Sequence, residues 1–302
     1  MRAERQPQFL FPAGSRFGVD NLVLHATARR HIVADFAGPL SIKSVIRGQV
    51  EWIAAGRAFL VDPNAFLVLE DGQRYSMNIE SLEPVETCCA FFRSGFVEEI
   101  ARDATTRLET CLDSPWHDAP RLHFLSRLHS DPKRLVLSRM WSLAERCAKE
   151  IQPSGYEEDF LILSQKLLTL YREIKTQMLR VPGAKASTRE ELFRRLQIAR
   201  EYLHGNADRR ISLEELSREA CVSRYHLLRA FQHVFRETPH GYLTTLRLER
   251  ARSLLQSGCA VTSVAMEVGF TSVSAFTRRF RSRYGMPPSG ISKIRKIGQA
   301  RR

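Results

Sequence analysis

Residues 211–231 read ISLEELSREACVSRYHLLRAF, and residues 261–280 read VTSVAMEVGFTSVSAFTRRF. Set against each other, the two stretches are one pattern written twice. Leu216 matches Val264, Ser217 matches Ala265 and Ala220 matches Val268. After one extra residue in the second copy, Ser223 matches Ser272, Leu227 matches Phe276 and Phe231 matches Phe280. The register continues to Phe235 with Tyr284 and Pro239 with Pro288. A repeat at about 50 residues points to one supersecondary unit used twice.

Each copy has the parts of a helix-turn-helix. A short helix begins behind a capping hydroxyl, Ser212 with Glu215 three residues on, or Thr262 at the equivalent place. A small residue, Ser217 or Ala265, lets two helices cross closely. A tight turn follows at Cys221-Val222 and at Gly269-Phe270, and Ser223 or Ser272 caps the next helix. That helix hides Leu227 with Phe231, or Phe276 with Phe280, at i and i+4. Its other face is polar and basic: Arg224, Tyr225, His226 and Arg229 in the first copy, Ser274, Thr277, Arg278 and Arg281 in the second. Such a helix fits a major groove and offers donors to base edges and phosphates. A solvated helix face is the plainer reading of these arginines, but the duplication favours DNA contact. Between the copies, Gly241 to Gln256 predicts a helix with Leu248, Ala251 and Leu255 as its inner stripe, Leu254 beside it, and Gly258 as its stop. A rigid connector holds two reading helices at a fixed separation. Successive major grooves on one face of DNA require about 34 Å.

The run Tyr242-Leu243-x-x-Leu246-Arg247-Leu248-x-x-Ala251-x-x-Leu254-Leu255, then Val264-Ala265-x-x-Val268-Gly269-Phe270-x-Ser272, then Phe276-x-x-x-Phe280-Arg281-x-x-Tyr284-Gly285-x-x-Pro288, resembles the AraC/XylS family of regulators. The resemblance covers roughly residues 190–292. It implies a promoter-binding protein that responds to a signal, with an effector domain built as a cupin-like β-barrel followed by dimerisation helices. It implies that Tyr225, Arg229, Ser274, Thr277 and Arg278 contact bases or nearby backbone. Arg224, His226 and Arg281 are phosphate or surface groups on the same reading. Cys221 and Arg236 stand where the family commonly has Gly. Cys221 strains its turn if positive φ is needed there, and Arg236 adds a candidate phosphate contact. Val273 opens the second reading helix and offers a base no more than an apolar contact with a thymine methyl. The first copy therefore carries the richer reading set. Family habit favours activation by recruiting RNA polymerase.

The bulk properties agree. The 302 residues are 43% hydrophobic and carry a net charge of +13. From Glu190 onward there are 21 basic and 10 acidic residues, whereas residues 1–189 hold 25 and 23. A basic domain beside a nearly neutral one predicts a polyanion partner for the basic part. A basic tail, Lys293-Ile294-Arg295-Lys296 with Arg301-Arg302, either touches phosphates or does nothing specific.

Working outward, residues 181–190 read as a linker around Pro182-Gly183-Ala184-Lys185. Residues 1–20 read as an N-terminal arm. From 21 to 110 the text is short β-like runs: Leu22–Thr27, His31–Phe36, Ser41–Ile46, Gln49–Ala54, Arg57–Val61, Ala65–Leu69, Tyr75–Ile79 and Val85–Phe92. Gly, Pro and Asn punctuate them, as in an antiparallel barrel or sandwich. After Gly95 the period becomes helical. Phe96-Val97-x-x-Ile100-Ala101 starts one helix and Pro132 opens another, whose stripe runs from Leu135 to Cys147. Pro153-Ser154-Gly155 breaks that helix. A third carries Phe160, Leu161, Leu163, Leu167, Leu168, Leu170 and Tyr171 over a wide arc, suiting either a second copy of the chain or its own domain. Residues 111–180 are thus a helical dimerisation or connector region, 191–292 the DNA-binding domain and 293–302 the tail. The fold class is α+β.

Six cysteines (Cys88, Cys89, Cys111, Cys147, Cys221, Cys259) form no C-x-x-C pair and no zinc spacing. With no secretory signal and no apolar run of membrane-spanning length, they predict free thiols in a cytoplasmic protein without a membrane partner. Cys88 and Cys89 point to opposite faces of a strand, as a thiol sensor or as inert buried groups. His25 and His31, without His-x-His, are weak evidence for metal, so no cofactor, metal site or catalytic residue is expected. Expected partners are promoter double-stranded DNA, RNA polymerase, a second copy in a homodimer and a small-molecule effector that no residue signature identifies. Two rivals remain: a cupin-type metal enzyme fused to a DNA-binding domain, separable by elemental analysis, and an effector-independent architectural DNA-binding protein, separable by ligand-induced thermal shift.

Overall fold

A computed structural model describes residues 8–10, 14–105, 122, 127–131, 133–149, 156–182 and 185–291. Cys111, Pro132, the Pro153-Ser154-Gly155 break, the tail from 293 and much of the N-terminal arm lie outside these. The chain divides into two compact units, one up to Ile174 and one from Lys175.

Among the described residues the first unit is an eight-stranded, wholly antiparallel sheet with helices on one face. Its strands are β1 (Gln8–Leu10), β2 (Leu22–Ala37), β3 (Ser41–Arg47), β4 (Val50–Ala54), β5 (Arg57–Val61), β6 (Ala65–Leu69), β7 (Arg74–Phe91) and β8 (Arg127–Ser130). The order is β1-β2-β7-β3-β6-β8, with β4 joining β7 to β5. β5 also lies against β3, β6 and β8 without pairing with them, so the sheet curls back over itself into a nearly closed barrel. Alternation along each strand fills two cores. Val45, Trp52, Phe59, Val61, Leu67, Tyr75 and Cys89 share the inner one. Ile42, Phe66, Val68, Cys88 and Ala90 share the outer one with α1 (Phe96–Thr105), α2 (Leu137–Ala148) and α3 (Glu157–Leu179). β3 and β6 are therefore buried on both faces, β6 with apolar residues throughout and β3 with Ser41, Lys43 and Ser44 among its apolar ones.

Two pairs of predicted strands are single strands. Leu22–Thr27 and His31–Phe36 merge in β2, and Tyr75–Ile79 and Val85–Phe92 merge in β7. The apparent breaks are irregularities: the β2–β7 register shifts between Ala28 and Arg30, where β7 loops out through Ser81–Pro84, and again between Val33 and Phe36. A proline without a donor and a residue at positive φ, Asp35 at 47°, are tolerated at such bulges. β8 had no sequence signal.

Asp131 starts α2: its carboxylate accepts the backbone N–H groups of Leu135, Val136 and Leu137. Leu137, Met140, Leu143, Ala144 and Cys147 are the buried stripe. The wide apolar arc of α3 is spent mostly within its own unit, on Phe160, Leu163, Leu167 and Leu168, leaving Leu161 42% exposed. Arg139 and Arg146 of α2 both bind the buried carboxylate of Asp159 on α3.

Among the described residues the second unit is all helical: α4 (Ala186–Gly205), α5 (Leu213–Glu219), α6 (Arg224–Phe235), α7 (Pro239–Ser257), α8 (Val261–Glu267) and α9 (Val273–Tyr284). α7 is the long connector, opened by Thr238, whose Oγ1 accepts the Gly241 N–H, and closed by Gly258 at φ 100°. Its stripe of Leu248, Ala251 and Leu255 packs on Val264, Ala265, Val268, Phe276 and Phe280.

Candidate nucleic-acid interface

The turns of the two halves of the repeat match bond for bond. α5 and α8 are seven residues long, α6 and α9 twelve. In the first turn Ala220 N–H donates to Leu216 O, Cys221 N–H to Arg218 O and Val222 N–H to Ser217 O. In the second, Val268 N–H donates to Val264 O, Gly269 N–H to Met266 O and Phe270 N–H to Ala265 O. The residue that reverses the chain is left-handed in both, Cys221 at φ 50° and Gly269 at 84°. The residue closing the reading helix is left-handed too, Arg236 at 61° and Gly285 at 74°. The first copy thus holds non-glycine side chains in conformations that its own duplicate assigns to glycine.

Capping differs from expectation at two of four hydroxyls. Ser212 Oγ accepts the Glu215 N–H at 3.0 Å, and Ser272 Oγ accepts the Ala275 N–H at 3.0 Å. Ser223 occupies the cap of α6 with extended backbone, but its exposed hydroxyl makes no bond to the helix. Thr262 does not cap α8. The sharp stop at Gly258 lets that helix start after Ala260, so Thr262 falls inside its first turn.

Burial splits each reading helix as the sequence predicts. Leu227, Ala230, Phe231 and Val234 are buried on α6, and Phe276 and Phe280 on α9. The opposite face of α6 exposes Ser223, Arg224, Tyr225, His226 and Arg229, with Arg236 at its end, and Tyr225 is 75% exposed. On α9, Ser272, Ser274, Arg278 and Arg281 are exposed, while Val273 and Thr277 are half-buried. Val273, Ser274, Thr277, Arg278 and Arg281 line one open depression along that helix. Sequence reasoning did not single out Arg279 or Arg283, which add cationic charge to α9. The hydrophobic period of that helix marks both as solvent-facing.

The electrostatics separate structural arginines from unspent ones. Arg209 binds Glu215 and the Tyr202 hydroxyl, and holds the Glu215 carboxyl at about 2. Arg194 and Arg195 hold Glu191 at about 2 in the same way. Arg224 has only a long contact of 3.9 Å with Glu214, and Arg283 one of 3.6 Å with Glu249. Among the described residues no ion pair is recorded for Arg229, Arg236, Arg278, Arg279 or Arg281. A row of exposed cations without carboxylate partners suits a polyanion.

In the first unit, His25 pairs with Glu86 at 2.9 Å, and His31 lies opposite Ile79, six residues further along the strand. That is about 20 Å of extended chain, too far for one ion. Among the described residues no group of three or more His, Cys, Asp or Glu is placed to hold a metal ion. Cys88 and Cys89 enter the outer and inner core respectively, and burial pushes both thiols up, away from the reactive thiolate. Among the described residues no helix is long and apolar enough to cross a membrane.

Residues 216–293 match the family model of a helix-turn-helix domain. The HTH-type transcriptional regulator GbdR of Pseudomonas aeruginosa is 36% identical over 98 residues, which cover 32% of this chain and 27% of that one. The match therefore spans under a third of that relative's length. The thermoregulatory protein LcrF of Yersinia pestis is 23% identical over 264 residues, 84% of this chain and 90% of that one. A solved structure of a probable AraC family transcriptional regulator from Rhodopseudomonas palustris shares 27% identity, covering 34% of this chain and 97% of that one at a TM-score of 0.33.

Proposed function

The helix-turn-helix part of this chain resembles the AraC/XylS family, and from that premise we propose that the protein is a sequence-specific transcription regulator that activates promoters in response to a signal. The observation that carries the reading is the pair of equivalent reading helices, α6 and α9, each with one buried apolar face and one face of exposed arginines. In this reading Tyr225, Arg229, Ser274, Thr277 and Arg278 face base edges. Ser223, Arg224, His226, Arg236, Ser272 and Arg281 face phosphates, and Val273 faces a thymine methyl. Affinity comes from phosphate neutralisation and falls steeply with salt. Specificity comes from the two reading helices.

The barrel is the sensory part, taking a small-molecule effector, and it is a binding module rather than an enzyme. α3, whose exposed Leu161 extends its apolar arc, supplies the contact of a cytoplasmic homodimer, and bound protein recruits RNA polymerase. The test is genome-wide mapping of bound sites with the full-length protein. Enrichment at promoters of a shared two-part motif is expected, and the neighbouring genes name the chemical class of effector. Uniform coverage without a motif would leave only an architectural, sequence-blind role.

A further inference from the structure

The two helix-turn-helix halves are joined by α7, but α7 is not their sole connection. Its N-terminal half belongs to the first copy: Tyr242 rests on Phe231, and the Thr245 hydroxyl donates to Glu237 Oε1 at 2.9 Å. Its C-terminal half belongs to the second copy through Leu248, Ala251 and Leu255. Arg247 sits where the two halves of α7 meet. Its guanidinium turns back onto the loop between α4 and α5, with Nε donating to Ala207 O and Nη2 to Arg209 O, both at 2.7 Å. Between those two carbonyls lies Asp208, and against Asp208 lies the turn of the second copy. A Cβ on Gly269 would stand 2.5 Å from Asp208 O and 3.0 Å from Arg247 Nη2.

The loop is in turn tied to the first copy. The Arg209 side chain binds Glu215 Oε1 at 2.5 Å and the Tyr202 hydroxyl at 2.7 Å, and Glu215 is the residue whose N–H is capped by Ser212. A closed ring results: α7, the 207–209 loop, α5 of the first copy, and the Gly269 turn of the second. With the ring intact, the second turn is pinned directly against the loop that positions the first. Without it, the halves are joined by one helix that bends and twists. The guanidinium aims two separate nitrogens, held in a rigid fork, at the two carbonyls, whereas an ammonium has a single nitrogen on a flexible stem.

We infer that Arg247 is a positioning residue that locks the two reading helices at one separation, and so sets the spacing between the two base motifs the protein accepts. The inference rests on the DNA-binding reading and adds a residue that touches no DNA in it.

The test uses full-length protein and a library of DNA duplexes carrying two randomised blocks, with spacers of every length across one helical turn, about 10 base pairs. Wild-type protein is expected to enrich two motifs at one spacing. Arg247→Met is expected to enrich the same motifs over a spread of spacings. It should bind the wild-type duplex about tenfold more weakly, the loss expected when about one in ten of the loosened conformers holds the wild-type separation. Its affinity for a duplex with a single motif should change by less than about twofold, since no DNA contact is removed. Arg247→Lys, which keeps the charge and loses the fork, is expected to broaden the spacing without weakening single-motif binding. It decides the question if the methionine variant does not fold. Unchanged spacing preference in Arg247→Lys, or equal losses on single-motif and two-motif duplexes, would overturn the inference. A wild-type protein that enriches no two-part motif fails earlier, and sinks the DNA-binding reading itself.

Discussion

A single backbone angle links sequence departure to energy at Cys221. The repeat shows what the position wants, because its counterpart Gly269 has φ 84° and Cys221 is held at 50°. A side chain in the left-handed region costs roughly 1–2 kcal/mol, offset in part by the freedom glycine adds to the unfolded chain. Cys221→Gly is therefore expected to raise stability by about 1 kcal/mol in urea unfolding. The Arg195 guanidinium bonds the Cys221 carbonyl, which the substitution keeps. Lower stability would show that the thiol does more than fill the turn. Arg229→Ala belongs at the same scale: a loss of about 1–3 kcal/mol in DNA affinity, confined to one base position, is expected from competition binding. Equal loss on specific and random DNA would reduce Arg229 to a phosphate contact. In the barrel, Lys43 is 1% exposed, its Nζ donates to the Tyr75 hydroxyl at 2.9 Å and lies 3.6 Å from the centre of the Phe91 ring. Burial lowers it from 10.5 to about 8. The folded chain thus releases this proton before the unfolded chain does, and the Lys43 contribution to stability improves as pH climbs from about 8 to 10.5. Tyr75 and Cys89 face it and are pushed up by burial, so they oppose the trend at the alkaline end. Both are retained in Lys43→Met, where Cys89 loses the charge of the lysine, so the difference between the two proteins reports the lysine together with its coupling to Cys89. Wild type should gain about 2 kcal/mol on the variant between pH 7 and pH 10. A pH-independent difference would mean that Lys43 has an ordinary titration.

At the scale of elements, caps and turns decided what could be read in advance. The helix-turn-helix halves were legible because their signals are local: a hydroxyl, a small residue, a left-handed turn and an i, i+4 apolar pair. Ser223 and Thr262 failed as side-chain caps because residue type alone fixes neither where a helix starts nor where a hydroxyl points. β2 and β7 were read as two strands each because a bulge looks like a turn when only composition is seen. The Asp131 carboxylate that starts α2 was missed because it serves amides four to six residues ahead, outside the usual cap spacing. The C-terminal end of α6 turns this into a prediction with two signs. Arg236 closes the helix at φ 61°, where the second copy has Gly285, and its exposed cation follows the reading face. Arg236→Gly is expected to raise stability by about 1 kcal/mol while lowering the salt dependence of DNA binding by about one phosphate. Thermal unfolding and a salt titration of affinity measure the two separately. Loss of both would assign Arg236 to the fold, and loss of neither would leave it a bystander.

Across the whole molecule, legibility follows how far apart in sequence the cooperating residues lie. The barrel was foreseen as a class but not as a topology, because β7 pairs with β2, β3 and β4, and no local pattern encodes those partners. The ring closed by Arg247 was invisible for the same reason: it joins residues 38 to 40 positions apart through backbone carbonyls. The uneven chemistry of the two reading helices, by contrast, is written in the sequence and kept in the structure. α6 presents a largely exposed Tyr225 beside His226 and Arg229, groups with directional donors and a ring. α9 opens on half-buried Val273 and carries Arg278, Arg279, Arg281 and Arg283, a denser band of charge with less to discriminate bases. Charge holds DNA of any sequence, whereas directional donors choose among bases. Single base-pair swaps are therefore expected to cost about 1–3 kcal/mol each under α6 and less under α9, measured by competition on one fixed duplex. Raising salt should weaken the α9 half more, because more of its binding is counterion release. A larger swap penalty under α9 would invert the assignment and make the second copy the reader.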